Sequence, residues 1–482
     1  MTEIELKFQV PAARREALGR AVATATATRI SLRARYFDTA DRRLGQAALA
    51  LRVRKEGRRW VQTLKGAGDG IWQRLEHEVP LRVAAGVMPL ADPALHDGTP
   101  AGDALRQALG DGELQPIYGT EVMRTRRLVR APGCVVELAF DQGALVAGDS
   151  RWPLCELEFE LKSGAAAALV ALASRWVERF GLTLDVRTKA ERGERLARGV
   201  RLGAAVKAQP LALPEAVDSD SALRAVLGNC LAQVLGNAGD IAHEADTEPE
   251  QLHQLRVGMR RLRTALRELG PLSAGLRPEW GDALGQLFGR LGTARDRDAL
   301  AQTLLPALRQ AGATGLELPL IVPEPAAQAA LRETATTQLW LQLVAFAAGT
   351  DASDEAFAPA VRQRLERLFK QVRRDAARFS ALDDTARHQL RKRVKRLRYL
   401  SEFAASAFRG KRVSAFLKRL APAQEALGAF NDVCVARALF KDAAPDDPMA
   451  MFALGWLAHE RDDAIARCRR PLVALRKAEP FW

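Results

Sequence analysis

The hydrophobic pattern of this chain changes its period near residue 203, and that change constrains the fold more than any other feature. Before it, short runs alternate apolar and polar residues, as in 3–8, 49–54, 60–65, 135–140 and 154–162. Period-two alternation between turn residues predicts antiparallel strands. Beyond residue 203, apolar residues recur at three- and four-residue spacing, which predicts amphipathic helices.

We therefore expect an α+β chain with three parts. The first is a strand-rich domain at 1–203, interrupted by helices near 11–24, 101–110 and 164–180. A linker containing two prolines follows at 204–218, and an all-α domain occupies 219–478. A Pro/Gly-rich stretch at about 310–326 divides the helical domain in the middle.

The helical domain contains an internal repeat. Residues 253–263 align with 388–398 at an offset of 135, and 291–296 align with 427–432 at an offset of 136. Such a period is too long for a solenoid. It predicts two related helical bundles in tandem.

The charge indicates a polyanionic partner. The 482 residues carry a formal charge of +14, with 32 basic and 25 acidic residues up to residue 203, and 40 and 33 beyond it. Charges interrupt every apolar run before it reaches the roughly 18 residues of a membrane span. The acidic start and five widely spaced cysteines argue against export and disulfides, so we expect a cytoplasmic protein without membrane contact.

The predicted strands place their charges on one face, because residues two apart in a strand share a face. Some rows are acidic and others are mainly basic. Acidic rows suit a hard divalent ion, and rows of Arg and Lys suit phosphate oxygens. In an ordinary half-exposed sheet, the same charged faces would simply contact water, and strand by strand that alternative stays open.

The strand half resembles the CYTH family, also called triphosphate tunnel metalloenzymes. The blocks that carry this resemblance are 3–7 (EIELK), 36–39, 51–54, 62–65, 76–78, 137–143, 156–160 and 189–193. The resemblance implies an eight-stranded antiparallel β tunnel that acts on triphosphates with Mg²⁺ or Mn²⁺. It covers residues 1–200.

The resemblance also implies roles for individual residues. A metal ion would be held by Glu3 and Glu5 together with acids among Glu156, Glu158 and Glu160, between which the sequence does not decide. Phosphates would be bound by Lys7, Arg52, Arg54, Lys65, Arg124, Arg126 and Lys189, with Arg127 as a competitor of Arg126. The tunnel would also be lined by Glu76, Glu78, Glu137 and Asp141. Catalysis would centre on Glu3, Glu5, Lys7 and Lys65.

Each helical repeat carries a basic stripe that begins with a histidine. The stripes are formed by His253, Arg256, Arg260 and Arg263, and by His388, Arg391, Lys395 and Arg398. Like charges at helical spacing destabilise a helix, so a bound polyanion explains them better than a solvated face paired with acids from other helices. Asp296, Asp298 and Asp432 fit salt-bridge partners of these stripes better than metal ligands.

The helical half resembles the CHAD family across residues 219–475. That resemblance rests on both His-centred stripes and on the two LGxxxD segments at 291–296 and 427–432. It implies two tandem four-helix bundles that bind inorganic polyphosphate, and we expect the protein to associate with polyphosphate granules. The two resemblances together imply an inorganic triphosphatase joined to a polyphosphate-binding domain. Thiamine triphosphate, a nucleoside triphosphate, adenylate cyclase chemistry, and a binding protein with incidental hydrolysis stay open as alternatives. Aromatic residues make up 6% of the chain, which argues against single-stranded nucleic acid.

Overall fold

A computed structural model describes residues 2–67, 73–83, 87–245, 248–318, 327–350, 352–445 and 447–482. The chain divides into two compact units. The first, which we call the sheet unit, comprises Met1–Val206, Leu231–Gln251 and Gln328–Gly349. The second, the helical unit, comprises Lys207–Cys230, Leu252–Ala327 and Thr350–Trp482. These units divide the chain differently from the domain boundaries expected from the sequence, which stay predictions.

The described strands form one antiparallel sheet of nine strands in the order β5-β4-β3-β2-β6-β7-β8-β1-β9. They are β1 (Thr2–Gln9), β2 (Thr28–Asp38), β3 (Ala50–Glu56), β4 (Arg59–Ala67), β5 (Gln73–Leu81), β6 (Gln115–Ala131), β7 (Cys134–Ala147), β8 (Ser150–Gly164) and β9 (Thr183–Leu184). β1 pairs with β8 through Glu5–Gln9, with β9 through Phe8 and Gln9, and with β5 through Thr2–Ile4, so it contacts the strands at both ends of the order, β5 and β9.

The helices confirm the change of pattern that the sequence shows. They are α1 (Arg15–Val22), α2 (Arg43–Gln46), α3 (Pro100–Leu109), α4 (Ala166–Phe180), α5 (Lys189–Ala197), α6 (Ser219–His243), α7 (Pro249–Glu268), α8 (Glu279–Arg290), α9 (Thr293–Gln310), α10 (Ala327–Arg332), α11 (Thr334–Ala347), α12 (Phe357–Ala377), α13 (Asp384–Phe403), α14 (Gly410–Ala443) and α15 (Pro448–Arg476). Among the described residues, no helix has the length and apolar character that a membrane crossing requires.

The apolar face of the sheet packs against helices. On β1 and β8, the rings of Phe8 and Phe159 meet edge to face at 5.5 Å, and Trp176 of α4 lies 6.0 Å from Phe159. Because Phe8 and Phe159 are buried on this face, the residues directly before and after each of them in the strand must face the other side of the sheet. The charged residues of the sequence motifs occupy that other side.

In the helical unit, the helices α12, α13, α14 and α15 pack consecutively, and α12 also contacts α15. This arrangement is a four-helix bundle. The two LGxxxD segments differ in local structure. The first begins at Leu291 and Gly292, where α8 ends and α9 begins, whereas the second lies inside the continuous helix α14.

Candidate functional site

The charged face of the sheet lines a cavity of ≈ 1880 Å³ within the sheet unit. It brings together residues that are far apart in the sequence, as the strand periodicity predicts. The predicted site residues in its lining are Glu5, Lys7, Arg52, Arg54, Lys65, Glu76, Glu78, Arg124, Arg126, Glu137, Asp141, Glu158, Glu160 and Lys189. The backbone of Glu3 lies in β1, but its side chain is outside the described part of the chain.

Three carboxylates lie side by side on one wall. Glu5 is the cross-strand neighbour of Glu160, and Glu160 is in turn the neighbour of Glu137. Carboxylates directly opposite one another in a sheet repel, so a cation or a basic side chain is needed between them. Lys162 contacts Glu160, and Arg126 lies 3.8 Å from Glu137.

This acidic wall fits Mg²⁺ or Mn²⁺ in the chemistry of its donors, which are carboxylate oxygens. Within the described residues, no group of three or more acidic, histidine or cysteine side chains is close enough to enclose an ion. Mg²⁺ is commonly held by one or two carboxylates, with water and substrate phosphates completing its shell. The wall therefore suits an ion that arrives together with a phosphate ligand.

The environment of the Lys7 side chain favours an anion in the cavity. The side chain is only 8% exposed, and its Nζ has no hydrogen-bond partner among the residues that the structure describes. The nearest carboxylate oxygen, Oε1 of Glu156, is 3.9 Å away, which is too far for a hydrogen bond. A buried ammonium without a hydrogen bond is unfavourable, and a phosphate oxygen would satisfy it.

Arg52 and Arg54 extend this basic surface along β3. Burial and repulsion from Arg52 lower the pKa of Arg54, although Glu56 and Glu78 oppose the shift. Burial raises the pKa of Tyr36, but the neighbouring Arg52 guanidinium outweighs it, so the pKa lies below its usual range. The pKa shift of Tyr36 reflects the positive charge of Arg52, whereas that of Arg54 reflects burial first and repulsion from Arg52 second, and a bound anion would offset this positive charge.

Arg124 and Lys189 are held by acids. Arg124 makes a two-pronged contact with Asp141, with Nε and Nη2 both at 2.7 Å, and Nη2 also lies 2.5 Å from Glu158. Lys189 Nζ is 2.9 Å from Asp141 and also contacts Glu158. Burial raises the pKa of Glu158, but the neighbouring Lys189 and Arg124 lower it by more, so the pKa lies well below its usual range.

On the opposite side of the cavity, Lys65 Nζ lies 2.8 Å from Glu76, its cross-strand neighbour. Arg52 lies 3.7 Å from Glu76, and Arg54 lies 3.5 Å from Glu78. These acids hold the basic side chains near the cavity.

The structure separates two sets of residues between which the sequence did not decide. Glu156 is fully buried outside the cavity lining, where it contacts Gln9, Lys189 and Arg192, whereas Glu158 and Glu160 line the cavity. Arg126 lines the cavity as well. Arg127 instead contacts Thr24 and the ring of Trp176, on the outer side of the sheet.

Sequence reasoning missed several residues behind the cavity. Gln9 donates from Nε2 to both Glu156 and Asp185, at 2.9 Å each. Arg192 contacts Glu156. Gln9 follows Lys7 on the same strand face, so the period-two pattern could have identified it, whereas Asp185 and Arg192 follow no such pattern.

In the helical unit, the two basic stripes come close together. Burial, Arg391 and Arg260 lower the pKa of Lys395 to about 7, with Arg256 contributing and Asp432 opposing. Lys395 belongs to the second stripe, and Arg260 and Arg256 belong to the first. Asp432 attracts Lys395, while the side chains of Asp296 and Asp298 lie outside the described residues, so the salt-bridge role expected for these acids stays a prediction.

Several members of the stripes are held by specific partners. Arg256 donates from Nη1 to the carbonyls of Leu291 (2.9 Å) and Gly292 (2.5 Å) at the end of α8. The guanidiniums of Arg256, Arg260 and Arg263 lie 4.8–5.8 Å from the ring centroid of Phe288.

In the second stripe, His388 Nδ1 lies 2.9 Å from Asn431 Oδ1. Arg398 donates to Glu402 at 2.8 Å. Arg398 is therefore engaged within its own helix. The LGxxxD segments thus supply partners to both stripes, through the carbonyls of Leu291 and Gly292 in the first and the Asn431 side chain in the second.

Known proteins resemble both parts of the chain. The CYTH domain model matches residues 1–193, and the CHAD domain model matches residues 225–441. An inorganic triphosphatase of Haemophilus influenzae is 32% identical over 166 residues, which is 33% of this chain and 44% of the relative. The match therefore spans less than half of that relative's length.

Solved structures are similar as well. The CHAD domain of the plant Ricinus communis is 34% identical, with a TM-score of 0.48, and covers 58% of this chain and 99% of that domain. A Hippeastrum protein described with a dominant triphosphatase activity is 18% identical, with a TM-score of 0.30, and covers 42% of this chain and 97% of that one. The two family matches together span most of the chain, and the chain belongs to the proteins in which a CYTH domain is followed by a CHAD domain.

Proposed function

We propose that the cavity of the sheet unit hydrolyses inorganic triphosphate to pyrophosphate and phosphate, with Mg²⁺ or Mn²⁺. The observation that carries this proposal is the buried Lys7 ammonium, which lacks a hydrogen-bond partner in the described part of the chain and lies in a cavity with acids on one wall. Such a cavity suits a ligand that combines phosphate oxygens with a divalent ion. The triphosphatase relative supports the reaction class.

The residues divide the work by charge. Lys7, Arg52 and Arg54 would bind phosphate oxygens. Lys65, Arg124 and Lys189 would contact further phosphate groups of the triphosphate. Glu5 and Glu160, with Glu158 nearby, would hold the metal ion, which supplies charge neutralisation and polarises a phosphoryl oxygen when bound.

The bond broken is a phosphoanhydride bond, by in-line attack of water on a terminal phosphorus. Most of the rate enhancement would come from positioning and from stabilising charge on the equatorial oxygens. Lys7 is suited to this stabilisation because it is already desolvated, so it needs no reorganisation when the charge develops.

The cavity favours an inorganic chain over a nucleotide or thiamine triphosphate. Among its described lining residues, Tyr36 and Tyr118 stack on each other with centroids 4.7 Å apart, and Phe37 is buried. Tyr36 and Phe37 are buried and one face of Tyr118 is covered by Tyr36, so these three rings offer little surface for a base or a thiamine ring. Substrate recognition would then rest on phosphate oxygens alone.

The test is turnover of triphosphate, thiamine triphosphate and ATP by the full chain with Mg²⁺ and with Mn²⁺. We expect triphosphate to be hydrolysed fastest, and exchanging Glu5→Ala or Lys65→Ala to abolish turnover. Absence of phosphate release from triphosphate with either metal would reject the proposal. Faster hydrolysis of ATP or thiamine triphosphate would reject only the choice of substrate.

We also infer that the helical unit binds inorganic polyphosphate. The specific observation is the convergence of Lys395 with Arg391, Arg260 and Arg256, which crowds positive charge from both stripes. A long polyanion would relieve this repulsion. Such binding would place the protein on cytoplasmic polyphosphate granules. In the alternative function, polyphosphate binding would be the main role of the protein and hydrolysis would be incidental.

The binding test is titration of the full chain with long-chain polyphosphate at several salt concentrations. We expect tight binding at low salt that weakens steeply as salt rises, because binding releases counterions. RNA added as a competitor should displace polyphosphate only weakly. Absence of binding at low salt would reject this role.

A further inference from the structure

One carboxylate on α6 contacts three separate segments of the cavity wall. Oδ1 of Asp240 accepts from Nη1 of Arg187 at 2.9 Å and from Nη1 of Arg195 at 2.6 Å. Oδ2 accepts from the backbone N–H of Gly203 at 3.1 Å and from Nε2 of Gln251 at 3.0 Å. Asp240 is 1% exposed, so these four donors satisfy a fully desolvated carboxylate.

The three contacted segments carry or form the wall of the candidate site. Arg187 lies two residues before Lys189, which begins α5 and contacts Asp141 and Glu158. Arg195 lies in the same helix and lines the cavity. Gly203 lines it too, and a Cβ at Gly203 would lie 2.1 Å from Arg195 Nη2, so the loop and the helix approach closely.

A second path leads from Asp240 to the depth of the cavity. Arg187 is 2% exposed and also holds Asp185, through Nη2 at 2.9 Å. Asp185 accepts from Gln9, and Gln9 donates to Glu156, the carboxylate nearest to Lys7. The buried polar chain from α6 therefore ends beside the ammonium that carries the proposed function.

Asp240 lies outside the CYTH match and inside the CHAD match, yet it belongs to the same compact unit as the cavity. We propose that Asp240 is a positioning residue of the triphosphate site, which holds the wall from 187 to 203 and thereby fixes Lys189. This inference rests on the proposed function. A helix of the CHAD region would then be part of the machinery of the CYTH cavity.

The test is the full chain with Asp240→Asn, which keeps the size of the side chain but replaces an acceptor by an amide facing two guanidiniums. We expect kcat/KM for Mg²⁺-triphosphate to fall by about 10- to 100-fold, because small misplacements of a binding group are costly in catalysis. Asp375→Asn is the matched control, since Asp375 also pairs with an arginine, Arg393, but lies in the helical unit. The control should keep kcat/KM within about twofold, as expected for sites that do not couple.

A double-mutant cycle separates positioning from general destabilisation. If Asp240 acts through Lys189, adding Asp240→Asn to Lys189→Met should change kcat/KM by less than about twofold, because interacting sites are not additive. Additive losses, or unchanged kcat/KM in Asp240→Asn alone, would overturn the inference while leaving the proposed function intact.

Amide hydrogen exchange of residues 187–204 gives a readout that needs no activity. We expect faster exchange there in Asp240→Asn than in the parent and in Asp375→Asn. Unchanged exchange in Asp240→Asn would overturn the inference, whatever the activity of the parent protein. Failure of the parent protein to hydrolyse triphosphate would instead reject the proposed function.

Discussion

The cavity of the sheet unit and the stripes of the helical unit both gather positive charge, but they balance it differently. In the cavity, Arg124 and Lys189 each contact Asp141 and Glu158. In the helical unit, Lys395 faces Arg391 and Arg260, and its pKa falls to about 7 despite the attraction of Asp432. The cavity therefore suits a ligand that arrives with a cation, and the stripes suit a polyanion that brings none.

Metal removal should separate the two regions most strongly. With EDTA in place of Mg²⁺, we expect triphosphate hydrolysis to fall by at least about 10³-fold, since a catalytic metal ion contributes several kcal/mol of charge stabilisation. Polyphosphate binding by the same sample should persist. Phosphate release and polyphosphate titration measured in parallel check this, and loss of both on chelation would contradict the contrast.

Lys7→Met should separate catalysis from stability in the sheet unit. We expect kcat/KM for triphosphate to fall by about 10²-fold, because one preorganised donor to a developing charge is worth that much. The free energy of unfolding should stay equal or rise, since the buried Lys7 ammonium makes no hydrogen bond to the described residues and Glu156 keeps its contacts with Gln9 and Arg192.

Kinetics and urea unfolding of the Lys7→Met protein check this prediction. Lys55→Met is the matched control, because Lys55 is exposed on the same sheet, with its ammonium 5.6 Å from the Trp60 ring centroid. A large loss of stability in Lys7→Met with unchanged turnover would mean that Lys7 is structural.

The strand half was largely predictable because a period of two assigns every side chain to a face. That rule places residues such as Arg52, Glu76 and Asp141 on the charged face, and the structure puts all three in the cavity lining. It says nothing about depth along a strand. Glu156 and Glu158 share a face of β8, but only Glu158 lines the cavity.

Other features could not be predicted from the sequence, because they depend on contacts between residues that are distant in the sequence. Strand β9 has two residues, too few for a pattern, and it pairs with β1 through Phe8 and Gln9. The ion pair between Arg187 and Asp240 spans 53 residues and crosses the expected linker. The sequence showed the internal repeat. It did not show that the LGxxxD segment separates two helices in the first copy and lies within one helix in the second.

Within the helical unit, Arg260→Gln should weaken polyphosphate binding by about 5- to 10-fold at moderate salt and reduce the salt slope by about one, as expected for one lost phosphate contact. Arg260 lies near Lys395, where the two stripes meet. Arg367→Gln removes the same charge from an exposed position on α12 and should change affinity much less. Equal losses in both variants would point to net charge alone rather than to the stripes.

The smallest expected effect is a pH dependence of polyphosphate binding that arises from Lys395. Its pKa of about 7 is lowered chiefly by burial and by Arg391, and a bound polyanion would raise it again. Binding should therefore take up a proton above pH 7 and weaken as pH rises, by at most about tenfold per pH unit. Lys395→Met should remove this pH dependence, whereas Lys370→Met, at an exposed position on α12, should keep it.

The same group acts on folding with the opposite sign. A lysine in the unfolded chain titrates near pH 10.4, so between about pH 7 and pH 10 the unfolded state binds more protons at Lys395 than the folded state. This residue's contribution to the free energy of unfolding must then rise with pH in that window, while polyphosphate affinity falls. Calorimetric titration in buffers of different ionisation enthalpy, together with urea unfolding at pH 7 and pH 9, checks both signs. Affinity that rises with pH in the parent protein would show that the Lys395 ammonium does not contact the polyanion.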